Sequence, residues 1–254
     1  EGGKRFGVPV IQGFFPHCIH DSRYDIVIAY AVLEHLTEPS LFLNEVRRVL
    51  GHNGTLILSV PDCTPYIRTG DISCLLHEHW SYFNRETLDR LLRASGFSPD
   101  FKTATFGGTL YCAATCADHM AQQVHPVSVG SVLKVYEEQA QAALARLREF
   151  LSKAGKGAGV GIYVPGRFIN MLSLVREQFA DLKIRFFDDN EAMKGKYYPT
   201  FPFPIETFSD FVANPTDTII ITSATFGDAI AARVREAVPE VPVAMWGEFF
   251  RDRW

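Results

Sequence analysis

The amino-acid sequence predicts an α/β fold built as two successive units. Short apolar, β-branched runs alternate with amphipathic stretches of helical period, which is the pattern of strands layered with helices. A long stretch rich in Ala, Glu, Gln and Leu separates an earlier series of such elements from a later one. We therefore expect one domain over residues 1–126, a bridging helix over 127–156 and a smaller domain over 157–254.

The first series of elements combines buried-type strands with capped helices. The run at 24–30 reads Y-D-I-V-I-A-Y, and this composition predicts a strand buried on both faces of its sheet. A helix is expected at 84–95, because Asn84 can cap its start and Gly96 can stop it. The other expected elements are an apolar run at 8–13, a helix at 38–50, strands at 55–60, 99–106 and 109–116, and a hairpin turn at Gly107-Gly108.

The second series of elements follows a long helix predicted over 128–156, which contains no Gly or Pro after Gly130. Its expected strands lie within 157–164 and at 184–188, 218–222 and 241–246, and its expected helices lie at 170–180 and 227–237. This order predicts a second, smaller three-layer α/β unit.

Composition excludes several classes of function. The net charge of -4, with both signs interspersed, provides no basic surface for nucleic acid or an anionic membrane. The longest apolar runs are strand-sized, and no apolar segment typical of a secretory signal follows the first residues. The five cysteines are odd in number and show no C-x-x-C spacing, which favours reduced thiols in a cytoplasmic protein over disulfides or zinc.

Residues 25–61 carry a first family resemblance. They read D-I-V-I-A-Y-A-V-L-E-H-L, then a helix, then R-V-L-G-H-N-G-T-L-I-L-S-V-P. This segment resembles the fourth to fifth strands of class I S-adenosylmethionine-dependent methyltransferases. The resemblance implies a three-layer Rossmann-like methyltransferase sheet, incomplete at its N-terminal strands, followed by a second smaller Rossmann-like α/β domain. It also implies S-adenosylmethionine as the cofactor.

The loop after the strand at 24–30 is the expected cofactor contact. Ligands of open α/β sheets lie beyond the carboxyl ends of the strands, and in the resembling family this loop borders the cofactor. The expected cofactor-binding residues are Ala29, Tyr30, Ala31, Val32 and His35. An alternative stays open for Glu34 and His35, because polar residues at a helix start often serve only as caps.

A second, narrower resemblance begins at residues 77–83, which read H-E-H-W-S-Y-F. A helix ending R-A-S-G-F and then F-G-G-T-L-Y follow. Together these segments resemble the sugar C-methyltransferases that act on nucleotide-linked deoxyketosugars. In that family a Tyr-His-Glu-His-x-Ser-Tyr-Phe segment lies at the active site, and Leu76 replaces the tyrosine here. The resemblance implies His79, His77 and Glu78 as catalytic residues, with His79 as the base, and Tyr82 and Gly108 as substrate contacts.

C-methylation provides a chemical reason for such a cluster. Attack on a sulfonium methyl group requires an enolate, so a base must remove a proton beside a keto group and a donor must stabilise the oxyanion. A histidine with a pKa near neutrality suits the first task, and His77 and Glu78 are expected to orient the sugar or stabilise the oxyanion. O-methylation needs only a base beside a hydroxyl, so the loss of the tyrosine at Leu76 affects that route less.

Two other interpretations of the run at 77–83 stay open. His77 and His79 can alternate on an extended segment, one buried and hydrogen-bonded and the other exposed, without any catalytic role. A metal site is not expected, because three donors in one extended stretch without a remote Cys or His partner form a poor tetrahedral set.

The second domain extends the same resemblance. Its segment 186–205 follows the family's C-terminal pattern of Asp-x-Asn, then Gly, a basic residue and Tyr-x-Pro, then Pro-Ile. The expected substrate-binding residues here are Gly166, Asn170, Asp188, Asn190, Lys196 and Tyr197. An acidic residue after one strand, facing a glycine loop after the preceding strand, can hold a nucleotide or a sugar. In the alternative, Asp188 and Asn190 cap a turn and Tyr197 packs at an interface.

Some parts that the resemblance would supply do not occur before Val8. These are a Gly-rich loop, a ribose-binding acidic residue and a cysteine-rich zinc module. We therefore expect a fragment or a shortened protein that covers the later part of the family's length.

The predicted function is methyl transfer from S-adenosylmethionine to a nucleotide-linked ketosugar, by base-assisted C-methylation or by O-methylation. The alternative is a noncatalytic nucleotide-sugar-binding or scaffold protein. The sugar is the expected partner, nucleic acid and membrane are not, and a homodimer is left open.

Overall fold

The computed structural model describes residues 2–19, 23–102, 108–117, 130–223 and 225–250. Strands and helices alternate along the chain, which confirms the predicted α/β class. The chain divides into two compact units, and each is described by itself. The first unit comprises Glu1–Thr64 and His77–Val127, and the second comprises Pro65–Leu76 and Ser128–Trp254. Compared with the predicted bounds, residues Pro65–Leu76 and the long helix group with the second unit.

The regular elements are numbered here in chain order. The helices are α1 (Gly2–Phe6), α2 (Pro39–Val49), α3 (Thr64–Thr69), α4 (Arg85–Ala94), α5 (Gly130–Lys153), α6 (Ile169–Ser173), α7 (Phe208–Ala213) and α8 (Gly227–Ala237). The strands are β1 (Tyr24–Tyr30), β2 (Leu50–Pro61), β3 (Phe97–Lys102), β4 (Thr109–Cys116), β5 (Gly159–Tyr163), β6 (Lys183–Phe187), β7 (Ile205–Glu206), β8 (Thr218–Ile221) and β9 (Val243–Met245). Of the helices among the described residues, none combines the length and hydropathy that crossing a membrane requires.

Most predicted elements are confirmed, with three differences. The apolar run at 8–13 forms no strand and lies exposed. The helix predicted at 170–180 is divided into α6 and a 3-10 helix over Arg176–Asp181, and between them the Leu174 carbonyl accepts from the Arg148 guanidinium over 2.7 Å. The strand predicted at 99–106 ends at Lys102, and residues 103–107, with Gly107 of the predicted hairpin turn, lie outside the described residues.

The first unit contains a four-stranded sheet in the order β1-β2-β4-β3. Strands β1 and β2 are parallel, whereas β4 runs antiparallel to both β2 and β3. One core cluster joins this sheet to α2 and α4, with Val46 and Leu88 among its fully buried members. Helix α4 starts where predicted, since the Asn84 side chain accepts from the Thr87 N–H and the Thr87 hydroxyl accepts from the Asn84 N–H, which closes a capping box.

The predicted burial of β1 on both faces is wrong for the residues described. Ile26, Ile28 and Tyr30 share one face of this edge strand and are 55 to 62% exposed. The helices in the described part of the unit cover only the opposite face of the sheet. The carboxyl ends of β1 and β2 meet at one end of the sheet.

The second unit contains a five-stranded parallel sheet in the order β7-β6-β5-β8-β9. Alternate side chains of its strands enter two different core clusters. Phe186 and Ile220 pack with α5 and α6 on one face, and Phe187 and Ile221 pack with α7 and α8 on the other. The unit therefore has three layers. Its strand order reverses between β5 and β8, which is where open α/β sheets bind ligands.

Candidate active site

The loop after β1 forms the base of the candidate site in the first unit. Ala31 leaves the strand with a positive φ of 51°, and its N–H donates to the Ser59 carbonyl 3.0 Å away. The 3-10 helix Leu33–His35 follows and buries Leu33 completely. Glu34 is also buried, whereas the side chain of His35 is 38% exposed. The carboxyl end of β1 therefore holds a buried carboxylate beside a solvent-accessible imidazole.

The run at 77–83 is held against this loop by backbone hydrogen bonds. The N–H groups of Trp80 and Ser81 both donate to the Glu34 carbonyl, over 2.8 and 3.2 Å. Farther along, the Cys63 N–H donates to the Phe83 carbonyl over 2.8 Å, and the Phe83 ring is buried. These bonds fix the histidine-containing turn beside the end of β1 without using its ionisable side chains.

Two imidazoles meet at this point. The ring centroids of His35 and His79 are 4.8 Å apart and their planes make an angle of 77°. The Nδ1 atom of His35 lies 3.2 Å from the Glu78 carbonyl oxygen. Because a carbonyl can only accept, this contact is a hydrogen bond when Nδ1 carries the proton, and the lone pair of the neutral ring then resides on Nε2. The Tyr82 ring lies 6.0 Å from that of His79.

Glu34 is the third member of this cluster. Its Oε1 atom lies 3.9 Å from His35 Nε2, and its Oε2 atom is buried without a hydrogen-bond partner. Glu34, His35 and His79 each offer one ligand atom, and these three atoms lie within 4.8 Å of one another. Two imidazoles and a carboxylate can hold a divalent metal ion or act in proton transfer.

The three predicted catalytic residues do not share one environment. His79 is half-buried and joins His35 and Glu34, whereas the side chain of His77 is 95% exposed. Glu78 contributes its carbonyl to His35, but its side chain is 54% exposed and lies 3.9 Å from His77 Nε2. The structure therefore brings one residue of the predicted trio to the cluster and leaves two side chains in solvent. It adds Glu34, for which the sequence indicated only a cap.

The predicted cofactor residues line the end of β1 in different ways. Ala29 is buried in the core, so only its backbone can reach a ligand. Tyr30 is on the open face of the sheet, where its ring packs edge-on against Tyr111 at 6.3 Å. Ala31, Val32 and His35 form the loop itself. Their roles in cofactor binding stay a prediction.

The predicted substrate residues fall into both units. In the first unit, Tyr82 lies beside His79, and the Gly108 carbonyl accepts from the Asp62 N–H over 3.0 Å, which ties the start of β4 to the end of β2. In the second unit, the Asn170 amide donates to the Leu75 carbonyl over 2.7 Å. Both residues belong to this unit, so the bond connects two of its segments.

The acidic motif of the second unit is built as a turn. The Asp188 carboxylate accepts from the Asn190 N–H, and the Asn190 side chain accepts from the Ala192 N–H. Lys196 bonds through its backbone to Met193 and Ile205, and Tyr197 forms an isolated bridge with Pro204 and is 59% exposed. These contacts agree with the capping alternative for Asp188 and Asn190.

A cavity of about 200 Å³ lies at the switch point of the second sheet. Of the predicted substrate residues, Gly166 lines it. The other polar or aromatic residues that line it were not predicted from the sequence, and they are Tyr66, Ser73, Arg167, Phe168, Thr222, Ser223, Thr225 and Trp246. Sequence position alone could have indicated two of these residues. Arg167 and Ser223 come shortly after the ends of the strands predicted at 157–164 and 218–222, and ligands of open α/β sheets bind at such ends.

A partly exposed ionic cluster lies on the other face of the second sheet. The Tyr163 hydroxyl donates to the Asp189 carboxylate over 2.7 Å, and the Arg233 guanidinium bonds both groups. Burial raises the pKa of Tyr163, and the hydrogen bond to Asp189 raises it further. Arg233 also stacks over the Phe208 ring at 4.1 Å. This cluster ties the end of β5 to α7 and α8 and is structural.

One family model matches part of this chain. Residues 8–100 match the model of a family described as a methyltransferase domain. The matched segment contains β1, the Leu33–His35 loop and the run at 77–83. No curated protein matches the chain.

Several solved structures are similar to part of this chain. The 1,6-didemethyltoxoflavin-N1-methyltransferase of Burkholderia thailandensis, solved with 1,6-didemethyltoxoflavin and S-adenosylhomocysteine, is 18% identical over 39% of this chain and 47% of its own, with a TM-score of 0.32. A possible histamine N-methyltransferase of Thermotoga maritima is 21% identical over 44% of this chain and 66% of its own, with a TM-score of 0.36. The CurJ carbon methyltransferase is 24% identical over 38% and 30%, with a TM-score of 0.30.

The present chain therefore spans about half of the first of these structures and less than two thirds of the second. The family match over residues 8–100 agrees with the methyltransferase domain that the sequence predicts for this part of the chain.

Proposed function

We propose that this chain transfers a methyl group from S-adenosylmethionine to a nucleotide-linked ketosugar. The methyltransferase match over residues 8–100 supports the reaction class, and the resemblance of the run at 77–83 supports the acceptor. One observation carries the proposal: His79, assigned to the acceptor, lies with its ring 4.8 Å from that of His35, assigned to the cofactor loop. Methyl transfer requires donor and acceptor to meet at one place, and this pair satisfies that requirement at the end of β1.

In the C-methylation route His79 is the base. Its imidazole removes a proton from the carbon beside the keto group, and the electron pair moves into an enolate. The enolate carbon then attacks the sulfonium methyl group, and the carbon–sulfur bond breaks with its electrons on sulfur. Tyr82, with its ring 6.0 Å from that of His79, is our candidate donor to the enolate oxygen. The exposed side chains of His77 and Glu78 are assigned to binding the sugar.

In the O-methylation route the acceptor loses a hydroxyl proton and its oxygen attacks the methyl group. This route needs no enolate and no oxyanion donor, so the replacement of the family's tyrosine by Leu76 favours it. The two routes give different products, a new carbon–carbon bond or a methyl ether.

Hydrogen exchange at the acceptor carbon separates the routes. The full chain is incubated in D₂O with nucleoside diphosphate ketosugars and without a methyl donor, and NMR follows the proton beside the carbonyl. C-methylation predicts that wild type and the exposed control His52→Gln exchange this proton and that His79→Gln does not. Absence of exchange by wild type, with methyl transfer from labelled S-adenosylmethionine to a sugar hydroxyl, would select the O-methylation route.

A noncatalytic nucleotide-sugar-binding or scaffold role is the second candidate. The observation in its favour is that the side chains of His77 and Glu78, two of the three predicted catalytic residues, are 95% and 54% exposed. Calorimetry with S-adenosylmethionine distinguishes the candidates, because saturable binding by this chain contradicts a noncatalytic role.

The second unit is assigned to the nucleotide. The cavity at its switch point supports this assignment, and Gly166 is the proposed contact that lines it. The proposed contacts outside the cavity are Asn170, Asp188, Asn190, Lys196 and Tyr197. Loss of nucleoside diphosphate binding in Arg167→Gln, measured by calorimetry, would support the cavity as the site. The homodimer and the cytoplasmic location stay predictions, and light scattering tests the first.

A further inference from the structure

The cluster of Glu34, His35 and His79 has the composition of a metal site. Its three ligand atoms come from two separate segments, the loop after β1 and the run at 77–83, and lie within 4.8 Å of one another. Two histidines and one carboxylate form a frequent three-residue set for divalent ions that keep open positions for a substrate. The sequence argued against a metal because the donors of the run at 77–83 had no remote partner, and the fold supplies two remote donors to His79.

A second observation points independently to a missing ligand. Glu34 is 2% exposed, and its Oε2 atom is buried without a hydrogen-bond partner. A buried carboxylate oxygen without a partner costs free energy, because it has lost its water and gained nothing in exchange. A cation between Glu34 and the two imidazoles would restore that interaction.

The backbone already orients one of the imidazoles. His35 Nδ1 lies 3.2 Å from the Glu78 carbonyl, and His35 Nε2 lies 3.9 Å from Glu34 Oε1. A proton on Nδ1 leaves the Nε2 lone pair on the side of the carboxylate. Metal-binding histidines are commonly held in this way, with the second ring nitrogen donating to a carbonyl or carboxylate.

The distances require only a small adjustment. Bonds of about 2.1 Å to a tetrahedral ion place donor atoms about 3.4 Å apart, so atoms that lie within 4.8 Å need to move by about 1 Å or less. His35 is 38% exposed, which provides a path for the ion. Two imidazole ligands favour ions such as Zn²⁺, Mn²⁺ or Fe²⁺ over Mg²⁺ and Ca²⁺, which prefer oxygen ligands.

We propose that Glu34, His35 and His79 bind one divalent transition-metal ion at the carboxyl end of β1. The ion would keep open positions, and an acceptor oxygen can occupy one of them.

A metal here changes the expected chemistry, and this consequence rests on the proposed function. A His79 lone pair bound to a metal cannot accept a proton, so the metal-loaded protein would use the O-methylation route. An ion held by Glu34, His35 and His79 would favour loss of the acceptor hydroxyl's proton to solvent, and the acceptor oxygen would then attack the sulfonium methyl group. The carbon–sulfur bond breaks with both electrons on sulfur, which yields S-adenosylhomocysteine.

Direct binding of Zn²⁺ and Co²⁺ to the full chain tests the site without any methyl donor. The chain is stripped with a chelator, dialysed and titrated in a calorimeter, and the visible absorption of Co²⁺ reports its ligand set. We expect one ion per chain for wild type. Glu34→Gln and His79→Gln keep the side-chain size and are expected to weaken binding about 100-fold or more. His77→Gln is the matched control for metal affinity, because His77 lies two residues before His79 in the same run but is 95% exposed and outside the donor set.

The results that would overturn the site are specific. They are wild type without saturable binding, or a His77→Gln variant that loses as much affinity as His79→Gln, with far-UV circular dichroism showing all variants folded. Failure of the proposed function would look different, since a chain that binds Co²⁺ through Glu34 and His79 but methylates no sugar keeps the metal site. Methyl transfer that persists in excess chelator would refute the O-methylation consequence.

Discussion

Replacing Asp71 with asparagine is expected to flatten a pH dependence in the stability of the second unit. Asp71 is fully buried, and its Oδ1 atom accepts from the Ser73 N–H over 2.8 Å. Its Oδ2 atom has no hydrogen-bond partner. Burial raises the pKa of this carboxyl from 3.8 to about 6, although the Ser73 hydrogen bonds and the charge of Arg167 oppose the rise.

The magnitude follows from this pKa. A pKa that is higher in the folded chain means that the folded state holds the proton more tightly than the unfolded state does. The stabilisation from this proton is fully present below about pH 3.8 and is lost as the pH rises through about 6. At about 1.4 kcal/mol for each pKa unit, the loss reaches about 3 kcal/mol above pH 7, and between pH 4 and pH 8 it amounts to about 2 to 3 kcal/mol.

Asparagine mimics the protonated carboxyl at every pH. Asp71→Asn should therefore match wild type at pH 4 and exceed it in unfolding free energy by about 2 to 3 kcal/mol at pH 8. Amide hydrogen exchange of β5 and β8 measures this free energy for the second unit alone, and comparison at the same pH cancels the intrinsic exchange rate. Asp188→Asn is a matched control, because Asp188 makes the same bond to the N–H two residues later but is only half-buried.

One result would refute this reasoning. If the difference between Asp71→Asn and wild type is the same at pH 4 and pH 8, burial does not control the ionisation of Asp71. If Asp71→Asn and Asp188→Asn change the pH dependence of the unfolding free energy equally, the change arises from the turn that both residues form and not from burial.

Three further predictions follow from local geometry. Gly70→Ala should destabilise the second unit by about 3 kcal/mol or more in thermal melts, because a Cβ there would lie 2.2 Å from the Gln139 backbone and the residue has a φ of 76°; an unchanged melting temperature would contradict this packing. Asn84→Ala should cost the first unit about 1 kcal/mol in urea unfolding, since it removes the cap on Thr87, and Asn84→Asp should restore it. Burial raises the pKa of the Cys112 thiol to about 11, so mass spectrometry of the native chain treated with iodoacetamide at pH 8 should find Cys18 alkylated well before Cys112.

The sequence was most informative where local chemistry determines local structure. The β-branched run of β1, the capping box at Asn84 and the start of α8 at Gly227 all agree with prediction, because each depends on neighbours within a few residues. The contact between Arg148 and the Leu174 carbonyl, where the helix predicted at 170–180 is divided, could not be predicted, since the two residues are more than 20 positions apart. Likewise the open face of β1 depends on which elements cover it, and the composition of the strand does not specify this.

The sequence predicted which segments form the candidate site, but not which of their side chains meet there. The loop after β1 and the run at 77–83 were both identified, but their approach depends on two backbone bonds to the Glu34 carbonyl. Those bonds have no sequence signature, because every residue has a carbonyl. His77 and His79 have the same side chain two positions apart, and only the folded turn determines that one is in solvent and the other faces His35.

The grouping of Pro65–Leu76 with the second unit has a consequence for how this chain folds. These residues are made between the two segments of the first unit, Glu1–Thr64 and His77–Val127, yet they pack with α5, where the Tyr136 hydroxyl donates to the Asp71 carbonyl over 3.1 Å. The second unit therefore consists of two segments that are not continuous in sequence. Bringing them together closes a loop of more than 50 residues, His77–Val127. Folding of the two units is thereby coupled during synthesis, and a gene cut before Ser128 would remove part of the second core along with the first unit.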